Sequence, residues 1–98
     1  MLPNWVRIKR NLTYEKVYQD VIGDPKHPDA KNTHGYCDDE TKHLYIKLGL
    51  TKLEQQQAEM HELLHAIIFR YKIKISHTQM DRLATALVDV CRLNGWLK

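Results

Sequence analysis

Two helix-start signals, 25 positions apart, constrain this chain more than any other feature. Thr51-Lys52-Leu53-Glu54 and Ser76-His77-Thr78-Gln79 both place a hydroxyl residue three positions ahead of a Glu or Gln. In that pattern the hydroxyl caps the third backbone N–H of a helix and the Glu or Gln side chain reaches back to the cap's own N–H. The first helix is predicted to run from Thr51 to about Phe69 or Tyr71. The second carries Met80, Leu83, Ala84, Leu87, Val88 and Cys91 at three- and four-residue spacing, an apolar stripe suited to a core, and Gly95 is its expected stop.

The first half of the chain reads differently. Trp5 to Lys9 alternates in the manner of a strand. Tyr14, Val17, Tyr18, Val21 and Ile22 follow helical spacing, so Tyr14–Ile22 is read as a short helix, with a strand as the alternative. Residues 23–32 hold Gly23, Pro25 and Pro28 with little apolar content and read as a loop. Gly35–Asp38 and His43–Leu48, separated by the polar turn Asp39-Glu40-Thr41-Lys42, read as a β-hairpin with Leu44, Ile46 and Leu48 on one face.

Length and charge narrow the function classes. Ninety-eight residues fit one modest core, so residues 1–98 are expected to form a single domain. No apolar run approaches the roughly 20 residues that span a bilayer, and MLPNWVRIKR has no apolar signal segment, so a cytoplasmic protein is expected. Cys37 and Cys91 form no CxxC pair and are expected to be free, packed thiols. The net charge of +3 comes from scattered Lys and Arg rather than a basic stripe, which does not argue for nucleic acid.

Six histidines in so short a chain are the unusual count, and two of them carry the chemistry. His61-Glu62-Leu63-Leu64-His65 is an HExxH motif. Residues four apart on a helix share a face, so both imidazoles can reach one Zn²⁺. Glu62 stands beside that face, placed to take a proton from a water that zinc has acidified as the water attacks a carbonyl. Leu63, Leu64, Ala66, Ile67, Ile68 and Phe69 surround the motif, and two histidines and a glutamate buried among them need a partner that a metal would supply.

Catalytic zinc usually takes three protein ligands and leaves one position open. His77 and Asp81, four apart at the start of the second helix, are the candidates for the third. The preferred assignment makes His77 the ligand and Asp81 the residue that orients a liganding imidazole through a hydrogen bond. The second choice makes Asp81 the ligand. His43 closes the hairpin and is expected to be exposed, or to lean over the site; His27 and His34 are expected to be solvated. Cys91 is expected in the core, and Glu59 on a solvated face turned away from the histidines. Tyr36 and Tyr71 are candidate donors to a developing oxyanion, with ordinary packing the commoner role for such residues.

The run Gly35-Tyr36-Cys37-Asp38, Leu44-Tyr45-Ile46 and Met60-His61-Glu62-Leu63-Leu64-His65-Ala66-Ile67 is similar to small phage- and prophage-encoded zincin metallopeptidases, and resembles in plan a reduced ImmA/IrrE-type gluzincin. The resemblance covers residues 35–94. It implies an α+β fold in which a small antiparallel β-sheet packs on the HExxH helix and a second long helix supplies the third ligand. In the family that helix carries a Glu that binds zinc and, four residues on, an Asp that supports a liganding His. Here Asp81 matches the Asp and His77 stands in place of the Glu. The resemblance also implies that Leu44 to Leu48 forms an edge that holds substrate as an added strand.

The expected function is therefore zinc-dependent peptide-bond hydrolysis with Glu62 as general base, on a protein or peptide substrate. The alternative is a zincin-fold protein that binds a host or phage protein without turnover, with zinc stabilising the fold.

Overall fold

The computed structural model describes residues 1–20 and 34–97. The predicted loop at residues 23–32, with His27, lies outside the described residues, as do Val21 and Ile22.

Four strands and two helices follow one another as β1 (Trp5–Lys9), β2 (Leu12–Gln19), β3 (Gly35–Asp38), β4 (His43–Lys47), α1 (Lys52–Tyr71) and α2 (His77–Leu93). The fold is α+β. The sheet order is β1-β2-β4-β3. β1 and β2 pair antiparallel, as do β3 and β4, but β2 and β4 run parallel, with Lys16 opposite Leu44 and Tyr18 opposite Ile46. The sheet is thus mixed rather than wholly antiparallel. A parallel neighbour needs a long connection, and the chain makes it by passing from β2 to the far strand β3 before returning through the hairpin to β4.

This order corrects two expectations. Tyr14–Gln19 lies within a strand, not a helix. Pairing on both sides, with β1 and with β4, satisfies its backbone, and this tertiary pairing overrides the helical spacing. Tyr14 and Lys16 are both buried, which is period-two burial with a lysine in an inward place. Leu44–Leu48 is also not an edge: β4 is enclosed by β2 and β3, and the edge strands among the described residues are β1 and β3.

Both helices start where the sequence places them. Thr51 and Ser76 form complete capping boxes with Glu54 and Gln79. α1 ends at Tyr71 through a left-handed Lys72, whose N–H reaches the Ile68 carbonyl, and α2 gives way after Asn94 to a left-handed Gly95. α1 lies on the sheet. Tyr14, Leu44 and Ala66 form that core, joined by Leu2, Ile8, Leu12 and Cys37. α2 packs on α1 through Leu64, Met80 and Ala84, with Met60, Ile67, Ile68 and Ile75 around them. Arg92 adds a 2.9 Å hydrogen bond to the buried Gln56. Of the predicted α2 stripe, Met80, Ala84 and Val88 are buried, Cys91 is half-buried, and Leu83 and Leu87 are exposed. Leu48 is likewise exposed at the end of the hairpin, while Leu44 and Ile46 are buried. No helix among the described residues is long and apolar enough to cross a membrane.

Candidate metal centre

Helix period puts His61 and His65 one turn apart on the flank of α1 that meets the start of α2. Their Nε2 atoms are 3.1 Å apart, with ring centroids at 4.8 Å. The capping box at Ser76 starts α2 so that His77, its first residue, falls beside them. Its ring centroid is 5.2 Å from that of His61 and 5.5 Å from that of His65. One nitrogen from each ring lies within 4.8 Å of the others. Tetrahedral zinc with bonds of 2.0–2.1 Å sets its donors about 3.3 Å apart. The pair on α1 is close to that spacing at 3.1 Å, and the exposed His77 offers a third nitrogen within 4.8 Å of both.

Asp81, one turn after His77, sits behind the cluster. Its Oδ1 is 2.6 Å from His61 Nδ1, and its Oδ2 is 3.8 Å from His77 Nδ1. A proton on His61 Nδ1 leaves the Nε2 lone pair turned toward the other rings, the tautomer a metal requires. His77 thus lies within the cluster of ring nitrogens, and Asp81 lies against His61.

The electrostatics favour neutral, donating imidazoles. Burial lowers the pKa of His61, aided by His77 and opposed by Asp81. Burial, with His61 and His77 close by, lowers His65 to about 4. Glu62 projects from the same turn toward the sheet and is only 4% exposed. Burial, and secondarily the charge of Asp81, pushes its pKa up to about 8. A carboxyl so poised holds a proton readily near neutral pH and releases it when a cation lies close.

The remaining predicted residues fall elsewhere. His43 is half-buried and stacks on Tyr45, with its Nε2 3.7 Å from Glu15 Oε2. Tyr36 also stacks on Tyr45, in register across β3 and β4, on the strand face opposite Leu44 and Ile46. Tyr71 donates to the Ile8 carbonyl at 3.3 Å. Neither tyrosine is in the histidine cluster. His34 is exposed, 3.8 Å from Glu54.

Glu59 is not on a solvated face. It is wholly buried between α1 and the sheet, where it meets Lys16 Nζ at 2.9 Å and the Met1 amine at 3.0 Å and accepts from the Leu2 N–H at 3.2 Å. Burial opposes its charge, but these donors outweigh it and hold the carboxyl below its ordinary pKa. Sequence reasoning also passed over two features. Tyr14, Asp39 and Arg70 form a network in which the Tyr14 hydroxyl donates to Asp39 at 2.7 Å and accepts from Arg70 Nε at 3.0 Å. Gly35, at the start of β3, faces Glu62 across the sheet–helix interface. A glycine inside a strand pattern is the signal that marks such an approach.

Compared against family models, curated proteins and solved structures, the chain matches none.

Proposed function

We propose that the protein is a zinc-dependent peptidase. One observation carries the reading: three imidazoles from two helices converge, a carboxylate stands behind two of them, and a second, buried carboxyl stands next to His61 in the chain. His61, His65 and His77 would hold the ion, and Asp81 would orient His61. A divalent metal there supplies Lewis acidity for the carbonyl and acidifies a water. Glu62 takes the proton of the attacking water and returns it to the leaving amine. β3, an edge strand among the described residues whose Gly35 faces Glu62, is the strand along which an extended peptide would align, rather than along β4. The setting proposed with this reading is the cytoplasm, that of a host cell for a phage-encoded protein.

The test pairs elemental analysis of the purified protein with hydrolysis of a fluorescently labelled unfolded protein. The expected result is one zinc per chain, with hydrolysis lost on Glu62→Gln while zinc is kept. A protein that takes up no zinc, or whose hydrolysis is unchanged by Glu62→Gln, overturns the reading.

The exposed third donor supports a second reading, a binding protein that keeps the metal for stability alone. His77 stands where the family pattern has Glu, and its side chain is 65% exposed. Under this reading zinc raises the melting temperature, no hydrolysis occurs, and partner binding survives Glu62→Gln but not His65→Ala.

A further inference from the structure

We infer that Gly35 is a positioning residue for Glu62, its missing side chain forming the niche in which that carboxyl lies. This rests on the peptidase reading for its meaning, though not for its geometry. A Cβ at Gly35 would stand 2.8 Å from Glu62 Oε2, 2.9 Å from Glu62 Cγ and 3.0 Å from the Tyr45 carbonyl oxygen.

Space, not backbone conformation, requires the glycine. Among the described residues the glycines with positive φ are Gly49 and Gly95, so the Gly35 backbone is one that any residue adopts. Gly35 is held in the ladder opposite Ile46, whose side chain is fully buried, and β4 is enclosed by two neighbours. The strand therefore cannot retreat without disturbing the sheet. The Tyr45 carbonyl at 3.0 Å has to give by only a few tenths of an ångström, so Glu62 is the member that must move furthest, and from near its root, because Cγ as well as the carboxylate is in the way. The direction of its carboxyl from α1 is thus fixed by the strand that packs opposite. Larger residues at position 35 would swing the carboxyl away from its present place between α1 and β3, and a misplacement of about 1 Å at a reacting group costs on the order of 100-fold in rate.

The test is a stability cycle on the purified protein, read as melting temperature in a chelating buffer. Gly35→Ala is compared in the native background and in Glu62→Ala. The expected result is a fall of roughly 5 °C or more with Glu62 present and under about 2 °C with it truncated. Glu62→Ser, which has no δ atoms and can turn its single γ atom to another rotamer, repeats the comparison should Glu62→Ala not fold. Two companion measurements separate positioning from general damage. Gly35→Ala is expected to keep the zinc content of the native protein, and to lower kcat at least about 100-fold with KM within a few-fold. An equal fall in both backgrounds, or none in either, overturns the inference, as does an unchanged kcat in a protein that hydrolyses. If the native protein binds no zinc and hydrolyses nothing, the peptidase reading fails while the melting cycle still decides whether Gly35 holds Glu62.

Discussion

Asp81 Oδ1 lies 2.6 Å from His61 Nδ1, a contact between the second turn of α2 and the middle of α1. The hydrogen-bonding contact of this carboxylate is with His61, while its Oδ2 is 3.8 Å from His77 Nδ1. Asp81→Ala is therefore expected to weaken zinc binding about 10- to 100-fold while leaving one site per chain. His77→Ala removes a proposed ligand and is expected to weaken it further. Competition against a chromophoric chelator measures both. Binding unaffected by either substitution would mean that α2 takes no part in the site.

Glu62 makes the stability of the metal-free protein depend on pH. Its pKa is about 8 in the fold against 4.5 for an unperturbed glutamate, so between those values the folded state holds a proton that the unfolded chain has lost. Folding is then favoured most below pH 4.5, and the advantage falls away as pH rises to 8, by up to about 5 kcal/mol. Glu62→Gln abolishes this dependence. In urea denaturation with a chelator, the variant is expected to gain on the native protein from pH 5 to pH 8.5. His65 acts in the opposite sense below pH 6.5, but it is present in both proteins and cancels in the comparison. Added zinc, which favours the carboxylate, is expected to narrow the gap.

The parts of the fold and site legible in the sequence are those set by short-range rules. Thr51 and Ser76 declare the helix starts because a cap needs only residues three apart. His61 and His65 declare a shared face because one turn is four residues. What escaped was set by partners distant in the chain. The partner that buries Lys16 is Glu59, 43 positions on, and that buried pair is also why β2 lacks a clean apolar alternation. The strand order, and with it the loss of β4 as an edge, depends on how residues 12–19 and 43–47 pair, which no local spacing encodes. Gly35 stood in the sequence only as the first residue of a strand; that its neighbour is Glu62 required the packed sheet and helix. The stripe on α2 overstated its contact, since α1 covers Met80, Ala84 and Val88 and leaves Leu83 and Leu87 exposed.

The Lys16–Glu59 pair gives a prediction about stability alone. Both side chains are nearly inaccessible, at 5% and 0% exposure. Glu59→Ala strands an ammonium in the core and is expected to cost about 3–5 kcal/mol. Lys16→Met leaves Glu59 with the Met1 amine, the Leu2 N–H and the Tyr18 hydroxyl, and is expected to cost less. The double variant Lys16→Met/Glu59→Leu removes both charges and is expected to recover most of the Glu59→Ala loss. Urea denaturation of the three variants checks the order. Independent, additive losses would mean that the two groups do not act as a pair.

Tyr14 ties the far end of α1 to the hairpin turn. Its ring is fully buried, and its hydroxyl donates to Asp39 while accepting from Arg70, which in turn donates to the Asp39 carbonyl at 2.7 Å. Burial, with the Asp39 carboxylate nearby, raises its pKa to about 12 despite the opposing bond from Arg70. The folded state therefore keeps this proton between pH 10 and 12 while the unfolded chain loses it, and stability falls across that window. Tyr14 is expected to give a late ionisation step when tyrosinate absorbance is followed against pH. Tyr14→Phe should delete that late step and cost about 1–2 kcal/mol through the two lost hydrogen bonds. Persistence of the late step in the variant would assign it to another tyrosine and remove the basis for the network.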